Sequence, residues 1–272
     1  MALDEFFALH KVFTFNEFVA FLLARKPSKS STIYNLLTYH QKQGHICRIR
    51  RSLYCSIPKG VDAKSYIVDP LLIASKLADD AVIGYRTALD FFGKLHTVQN
   101  EFNYFSRKKE KGPFVFQGIT YRAVSIPTAI KNSKQIDFTV KTFDRQGQKI
   151  RVTTLERTLV DILDRPYLCG SWEEIWLSLE NIEYLNLDAV VNYALLLQNA
   201  TTIAKLGFYL ESHKEELMVP DQYLGELRKH IPRAPHYLEK DKKKPHKLIS
   251  MWNLIVPSSL LQREWEEPDE NI

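Results

Sequence analysis

The segment that most constrains the fold runs from Thr14 to Pro58, because two helical patterns are followed there by a short basic hairpin. Thr14 and Glu17 have the spacing of a capping box, in which a hydroxyl and a carboxylate each satisfy a free backbone N–H at a helix start. Pro27 is expected to end this first helix, because proline disfavours the helical conformation at Lys26. The buried face of the helix is predicted to consist of Phe15, Phe18, Val19 and Leu22.

The second helical pattern covers about Ser31 to Gln43, with Ser30 or Ser31 as the candidate cap and Gly44 as the residue that ends it. Apolar side chains at helical spacing predict its inward face: Ile33, Leu36 and Leu37, together with His40. The opposite face carries hydroxyl, amide and ammonium groups, which are able to hydrogen-bond base edges and phosphates.

A basic hairpin follows this helix. Its turn is Arg50-Arg51-Ser52, and Arg48 is predicted to share the same outer surface. The inward side chains of its two strands are predicted to be Cys47, Ile49, Leu53, Cys55 and Ile57. Two short helices and a basic hairpin are typical of a winged helix-turn-helix, which places a helix in the DNA major groove. The predicted DNA contacts are Lys29, Ser31, Thr32, Asn35, Thr38, Tyr39, Lys42, Arg48, Arg50 and Arg51.

The distribution of charge favours this hypothesis over a pure protein-interaction scaffold, which a helix pair with a hairpin could also form. Residues 1–60 hold nine Lys and Arg against three Asp and Glu, whereas residues 171–272 hold eleven against seventeen. A basic front and an acidic back would orient the molecule toward a polyanion with its N-terminal end leading.

Composition narrows the class of protein further. A hydrophobic content of 45% with 25% charged residues is ordinary for a soluble globular protein, and no apolar run reaches the roughly 18 residues of a membrane span. The acidic start Met1–Glu5 argues against a signal peptide. Cys47, Cys55 and Cys169 lack metal-ligand spacing and are expected to be reduced thiols, so we expect a cytoplasmic protein without membrane partners.

Residues 61–152 are predicted to be rich in strands. Asp69-Pro70 should open a helix, with the aspartate as N-cap. From about Glu101 the apolar period changes to two, which predicts four or five antiparallel strands with turns at 111–113, Gln117-Gly118 and 144–147. The basic run 107–111 is expected to lie on a solvated turn. The alternating residues are Phe102, Tyr104, Phe114, Phe116, Ile119, Tyr121, Ala123, Ile136, Phe138, Val140, Ile150 and Val152.

Residues 153–272 are predicted to be mainly helical. One helix should run from a cap at Thr153 or Thr154 to about Asp164. Further predicted helices are 172–182 capped by Ser171, 189–198 capped by Asp188, 202–212, and 221–229 entered through Pro220. A strand is expected at 249–256, a solvated basic loop at 241–244 and a mobile acidic tail at 264–270.

Catalytic chemistry has one candidate location, the helix after the strands. Arg157, Asp161, Asp164 and Arg165 recur at three- and four-residue spacing, so their side chains could meet on one face. Asp161 and Asp164 could hold a metal in a nucleic-acid-processing enzyme that uses the N-terminal domain for targeting. The alternative is a set of structural ion pairs, which we favour because no catalytic motif is present and the histidines in predicted loops, His236 and His246, lack ligand spacing.

Several segments carry a family resemblance: residues 150–166, 170–176, 206–208, 235–238 and 252–257. Arg51-Ser52-Leu53-Tyr54 is also similar to an Arg-Gly-Leu-Tyr motif, with Ser52 in place of glycine. On these residues the chain resembles the AbiEi-type antitoxins, the regulatory half of bacterial type IV toxin–antitoxin modules of the abortive-infection kind.

The resemblance implies an N-terminal winged helix that binds inverted repeats in the double-stranded DNA of the module's own promoter and represses it. It also implies a C-terminal domain that counters a nucleotidyltransferase-like toxin, generally without a stable complex. We therefore expect an α+β protein with a winged helix at residues 1–60 and an antitoxin domain at 61–272, strand-rich to 152 and helical after it. We expect an autorepressor and antitoxin rather than an enzyme, with no cofactor, metal or catalytic residue.

Overall fold

The structure is a computed structural model that describes residues 2–25, 29–108, 112–239 and 245–263 of a mixed α+β protein. The chain folds into two compact units. The first, here called the sheet unit, comprises Met1–Ile83, Gln99–Ser125 and Lys141–Val152. The second, the helical unit, comprises Gly84–Val98, Ile126–Val140 and Thr153–Ile272.

The N-terminal part of the sheet unit contains three helices and a small antiparallel sheet with the strand order β1-β3-β2. Its elements are α1 (Ala2–Leu9), β1 (Val12–Thr14), α2 (Phe15–Leu23), α3 (Ser30–Lys42), β2 (Ile46–Arg50) and β3 (Leu53–Ser56). Aromatic side chains dominate the core between helices and sheet, because four of its seven buried residues are Phe or Tyr. The buried cluster is Phe6, Phe13, Phe18, Ile33, Leu37, Ile46 and Tyr54.

The capping box at the start of α2 is confirmed, since Thr14 Oγ1 accepts from the Glu17 N–H at 3.2 Å and the Glu17 carboxylate accepts from the Thr14 N–H at 2.8 Å. The predicted serine cap of α3 is wrong. Lys29 occupies the N-cap position, and it makes no side-chain capping bond because an ammonium can only donate. The helix end assigned to Lys26 and Pro27 lies outside the described residues.

The second sheet of this unit has six strands in the order β6-β7-β5-β4-β9-β8. Its elements, with the helix that precedes them, are α4 (Pro70–Lys76), β4 (Val82–Ile83), β5 (Glu101–Ser106), β6 (Phe114–Phe116), β7 (Ile119–Ser125), β8 (Val140–Arg145) and β9 (Gln148–Thr153). Asp69 caps α4 by accepting from the Leu71 N–H at 2.9 Å, with Pro70 at the first helical position, as predicted.

The expectation of a wholly antiparallel sheet is wrong. β5 pairs with β7 in parallel, with Phe102 opposite Tyr121, and β4 pairs with β9 in parallel, with Ile83 opposite Val152. Apolar alternation identifies which side chains share a face, but it carries no information on strand direction. Ile136 and Phe138 precede β8 rather than forming a strand.

Two tight turns are confirmed. Gln117-Gly118 joins β6 to β7, and Gln146-Gly147 lies between β8 and β9. All four residues have positive φ, at 49° and 77° in the first turn and 53° and 79° in the second, as a two-residue type I′ hairpin turn requires. Of the basic run 107–111, residues 109–111 lie outside the described part of the chain.

Both faces of the small N-terminal sheet are covered, and this makes residues 1–60 part of a larger unit. All four residues of β3 are buried. The buried side chain of Gln148 accepts from the Val12 N–H at 2.9 Å and donates to the Val12 carbonyl at 2.7 Å, which ties β1 to β9. Lys76 of α4 also pairs with Glu17 of α2. The compact units therefore divide the chain differently from the predicted boundary at residue 60.

The helical unit contains most of the remaining helices and a small three-stranded sheet with the order β10-β12-β11. Its elements are α5 (Arg86–Phe91), α6 (Thr128–Asn132), α7 (Leu155–Asp164), α8 (Trp172–Glu180), α9 (Leu187–Leu197), α10 (Ala200–Ser212), α11 (Asp221–Arg228), β10 (His236–Tyr237), β11 (His246–Ile249), β12 (Leu254–Pro257) and α12 (Ser258–Gln262). Helices α7, α9 and α10 pack on one another and form the centre of the unit.

The predicted caps and start positions of these helices were correct in some cases and wrong in others. Ser171 and Glu174 form the second capping box of the chain. The predicted cap Asp188 is wrong, because Asn186 caps α9 by accepting from the Ala189 N–H at 3.1 Å. Helix α10 begins earlier than predicted, with Asn199 as its cap.

The predicted strand 249–256 is interrupted at Ser250–Trp252 by a 3-10 turn, which carries the fully buried Trp252 toward α10. Gly207 is required there because a Cβ at that position would overlap the Trp252 ring. The predicted loop 241–244 and tail 264–270 lie outside the described residues. Within the described ranges, no helix has the length and apolar character needed to cross a bilayer.

Candidate nucleic-acid interface

Helix α3 is amphipathic, and only one of its faces is covered. Ile33 and Leu37 are 2% exposed and belong to the aromatic core. The polar side chains on the other face remain open to solvent, because no described element packs over them. The exposed predicted contacts on and beside this helix are Lys29, Ser31, Thr32, Asn35, Thr38, Tyr39 and Lys42. We refer to this set as the α3 face.

The α3 face combines rigid and adaptable groups. Tyr39 is 56% exposed and Tyr34 54% exposed, and the Tyr34 ring stacks on Phe15 with ring centroids 4.5 Å apart. The Thr38 hydroxyl donates to the Tyr34 carbonyl at 2.9 Å, so it has only its lone pairs to offer a ligand. Asn35 is exposed at the centre of the face, where its amide could donate and accept at once.

The three arginines of the β2–β3 hairpin that were predicted to contact DNA differ in their exposure to solvent. Arg48 and Arg51 are exposed, and the Arg48 Nε donates to the Arg50 carbonyl at 3.3 Å within the turn. Arg50 is half-buried instead. Its guanidinium donates to the Leu77 carbonyl and lies 5.8 Å from the centre of the Phe114 ring. Arg50 thus anchors the turn to the rest of the sheet unit, and Arg48 and Arg51 present charge to solvent.

The backbone of this turn is unusual at one residue. Ser52 has φ = 63°, in the left-handed region that glycine adopts without steric cost. Its carbonyl accepts from the Phe15 N–H at 2.8 Å, which holds the turn against the start of α2. This is the position at which the sequence departs from an Arg-Gly-Leu-Tyr pattern.

A cavity of about 580 Å³ lies in the sheet unit beneath the C-terminal part of α3. Its wall is mainly apolar, with residues such as Leu3, Phe7 and Ile57, and it includes the imidazoles of His40 and His45. The two Nδ1 atoms are 3.0 Å apart. Partial burial and the neighbouring His45 lower the pKa of His40. His40, predicted to face inward, therefore lies at the edge of this cavity.

The candidate catalytic group on α7 forms a buried network. Arg157 and Asp161 are each 1% exposed. The Arg157 guanidinium donates to Asp161 Oδ2 at 3.2 Å and to the carbonyls of Ile136 and Phe138 at 2.8 and 3.0 Å. The Tyr193 hydroxyl donates to Asp161 Oδ1 at 2.7 Å. Both carboxylate oxygens of Asp161 therefore already accept hydrogen bonds inside the protein.

Burial raises the pKa of Asp161 to about 6, and the Arg157 guanidinium opposes part of that rise. Asp164, one turn later, has different partners. Its Oδ1 accepts from the Asn199 amide and the Thr202 hydroxyl, both at 2.8 Å. Among the described residues, no three metal-ligating side chains converge, and Asp161 and Asp164 accept hydrogen bonds from different protein partners. The arrangement supports the structural interpretation of these charges.

A second cavity, of about 780 Å³, lies in the helical unit and was not predicted. His236, expected in a loop, belongs to β10, and its Nδ1 is 2.7 Å from the Thr201 hydroxyl of α10. Lys205 is 7% exposed and donates to the Leu163 carbonyl at 3.1 Å. The lining comes from three distant segments, 164–172, 199–205 and 235–239, so no local sequence signal could have assembled it. The nearest signal was the resemblance at 235–238.

The fold has a counterpart among solved structures. The chain superimposes on the crystal structure of the RV2827C protein from Mycobacterium tuberculosis with a TM-score of 0.64, over 98% of this chain and 94% of that chain, at 15% sequence identity. At this identity the likeness concerns the fold alone. No protein-family model matches the sequence, and no curated relative matches it.

Proposed function

We propose that this protein is a DNA-binding transcriptional autorepressor and antitoxin, and that α1–α3 with β1–β3 act as a winged helix. One observation carries the DNA-binding part. A solvent-exposed helix face rich in hydroxyl and amide groups is followed by two exposed arginines, Arg48 on β2, which packs against the same helix, and Arg51 in the turn after it. Such a combination can contact base edges and phosphates together.

The two parts of this surface would have different tasks. Asn35 and the hydroxyls around it offer hydrogen bonds that discriminate between base pairs in the major groove. Lys29 and Lys42 lie at opposite ends of α3, where their ammonium groups can reach phosphates on either side of a groove. Arg48 and Arg51 on the hairpin would contact the backbone or the minor groove, which orients the protein and makes binding dependent on salt.

The antitoxin part rests on the resemblance to AbiEi-type antitoxins. In that proposal the protein represses its own promoter by binding inverted repeats, and a further region of the chain counters a nucleotidyltransferase-like toxin without a stable complex. Asp161 and Asp164 have no metal-binding role in it, because their carboxylate oxygens serve protein partners. A metal-dependent nuclease is therefore not the function that this geometry favours.

DNA binding is tested with the full-length protein and fluorescence anisotropy. Labelled duplexes from the region upstream of the protein's own coding sequence are compared with shuffled duplexes over a salt titration. The proposal expects tighter binding to the upstream DNA and a logarithmic salt slope of several units. Equal and salt-independent affinities for both duplexes would leave only the protein-interaction scaffold.

The antitoxin role needs a separate readout, because repression alone can protect cells. The nucleotidyltransferase-like toxin gene that the proposal expects beside this one is expressed from an unrelated inducible promoter, with the full-length protein supplied from a second promoter. Restored growth without a change in toxin transcript supports direct antitoxicity. Growth arrest despite soluble, folded protein would limit the function to repression.

A further inference from the structure

Two of the three cysteines lie directly opposite each other in the small N-terminal sheet. Cys47 of β2 is the antiparallel partner of Cys55 of β3. Opposite residues on neighbouring strands project their side chains from the same face of the sheet. Both thiols are free, Cys55 is buried and Cys47 is half-buried.

The hydrogen-bond pattern of the ladder gives the spacing of this pair. The Ile57 N–H donates to the His45 carbonyl at 2.9 Å, so His45 and Ile57 form a hydrogen-bonded pair. Such pairs alternate along an antiparallel ladder, and Cys47 and Cys55 form the next hydrogen-bonded pair. The Cα atoms of a pair of this kind are about 5.5 Å apart, within the roughly 4.4–6.8 Å that a disulfide spans. The Cβ atoms of a hydrogen-bonded pair lie toward the wide end of about 4.5–5.5 Å, so they must approach to about 4.5 Å for the bond to close.

The two thiols also differ in pKa and in accessibility, as suits an attacking and a resolving cysteine. The opposing Cys55 thiol lowers the pKa of Cys47 to about 7, whereas partial burial opposes this shift. Cys47 and burial together raise the pKa of Cys55. The Cys47 Sγ itself lies 3.8 Å from the Arg48 carbonyl oxygen. At neutral pH the more accessible sulfur therefore has thiolate character, and its buried neighbour remains a thiol.

We propose that Cys47 and Cys55 are an oxidisable dithiol that reacts with hydroperoxides and closes into an intramolecular disulfide across the β2–β3 hairpin. Cys47 is the attacking residue and Cys55 the resolving residue. The proposal concerns the thiols of this chain alone and does not depend on the proposed function. Its location matters for that function, because the bridge would adjoin Arg48 on the hairpin that carries the exposed arginines.

The reaction has two balanced steps. The Cys47 thiolate attacks one peroxide oxygen, the O–O bond breaks, and Cys47 sulfenic acid forms with hydroxide or alkoxide as the leaving group. That base takes up the proton released when Cys47 ionised. The Cys55 sulfur then attacks the Cys47 sulfur, the S–O bond breaks, and the thiol proton of Cys55 leaves with the oxygen as water. Two thiols lose two electrons, and the hydroperoxide is reduced by two.

Cys169 serves as an internal control. It is 3% exposed and lies in the helical unit, in a separate part of the chain from the pair. Its thiol should react slowly with peroxide, because burial protects it and it has no opposing cysteine on a neighbouring strand. Arg48, Arg50 and Arg51 lie between the paired cysteines, so trypsin would place Cys47 and Cys55 on different peptides, which only a disulfide would join.

The test treats the full-length protein with equimolar hydrogen peroxide and counts thiols after unfolding, with intact mass and tryptic mapping. The expected result is a fall from three thiols to one, a mass lower by two hydrogens, one Cys47–Cys55 linked peptide pair and full reversal by dithiothreitol. Cys169→Ala should still form the bridge. Cys47→Ala, at a half-buried position that tolerates a smaller side chain, should keep both remaining thiols and react about tenfold more slowly.

Three results would overturn the proposal. The first is accumulation of Cys47 as sulfinic or sulfonic acid while Cys55 remains a free thiol. The second is a disulfide between two protein molecules in place of the intramolecular one. The third is an unchanged rate of thiol loss in Cys47→Ala. Circular dichroism checks that each variant is folded. If a variant at the buried Cys55 fails to fold, the result with Cys47→Ala decides the test.

Discussion

Helices α3 and α7 have similar polar patterns, yet the fold uses them in opposite ways. On α3 the polar residues at helical spacing stay exposed, and only apolar side chains such as Ile33 and Leu37 are buried. On α7 the charged residues Arg157 and Asp161 are themselves buried, each 1% exposed. Polar spacing on a helix therefore does not by itself mark a binding surface.

The difference lies in what surrounds each helix. The α7 charges meet backbone carbonyls of the segment before β8 and the hydroxyl of Tyr193, which together replace the water lost on burial. A buried ion pair is tolerable only when further hydrogen bonds satisfy its remaining atoms. Among the described residues of the sheet unit, no element covers the α3 face, and the Thr38 hydroxyl bonds only to a carbonyl of its own helix. Its polar groups keep their hydration until a ligand displaces it, which is why it remains the candidate interface.

The largest expected effect tests the α7 side of this contrast. Asp161→Ala leaves the Arg157 guanidinium buried without its carboxylate, which should lower the free energy of unfolding by about 3–5 kcal/mol. Chemical denaturation monitored by circular dichroism measures it. Asn35→Ala, on the α3 face, is the matched control and should change stability by less than about 0.5 kcal/mol. Similar losses in the two variants would remove the distinction between the helices.

The pH dependence of stability offers a second test of α7. Because the pKa of Asp161 is raised to about 6 in the folded state, the folded protein binds this proton more tightly than the unfolded chain between about pH 4 and 6. Stability from this group is therefore present below the unfolded pKa and is lost as pH rises through about 6, by up to about 3 kcal/mol. The stability difference between the protein and Asp161→Asn should fall across that window. A flat difference would contradict it.

On α3 the expected change is in binding rather than stability. Asn35→Ala should cost about 1–3 kcal/mol on the specific DNA duplex and little on a shuffled duplex, as for the loss of a base contact. Asn192, exposed on α9 of the helical unit, gives a matched control in Asn192→Ala, which should bind as the original protein does. Equal losses on both duplexes would make Asn35 a residue that positions the DNA backbone.

The hairpin arginines show the same contrast, between an exposed and a buried polar group, within one turn. Arg51→Ala should lower the salt slope of DNA binding by about 1 with stability unchanged, because Arg51 is exposed. Arg50→Ala should instead lower stability by about 1 kcal/mol, through loss of the bond to the Leu77 carbonyl. Parallel salt titrations and denaturation curves on the two variants separate these outcomes. The reverse assignment would place Arg50 in the interface.

The smallest expected effect concerns the backbone of that turn. Ser52→Gly removes the steric cost of φ = 63° and should stabilise the protein by about 0.5–1 kcal/mol, since Ser52 is exposed and loses no packing. Thermal unfolding measures the gain. Ser133→Gly, at the αR C-cap of α6, is the control and should not stabilise the protein. A destabilised Ser52→Gly would mean that the serine side chain holds the turn.

Features whose partners lie within about four residues were readable from the sequence. The capping boxes at Thr14 and Ser171, the Asp69-Pro70 helix start and the Gln-Gly turns all form through neighbouring backbone groups. The amphipathic pattern of α3 was also readable from the sequence, because its spacing depends only on helix geometry. The same spacing predicts which polar residues of α3 are exposed, but not that Arg50 of the hairpin is half-buried.

Tertiary structure alone decided the features whose partners are distant in sequence. The parallel pairing of β5 with β7, the Gln148 bonds to Val12, the inward turn of Arg50 and the burial of Asp161 each join segments that no local pattern relates. Periodicity states which side chains share a face, but not what covers that face. Whether a polar face stays open, as on α3, or closes into a core, as on α7, is therefore settled by packing between distant parts of the chain.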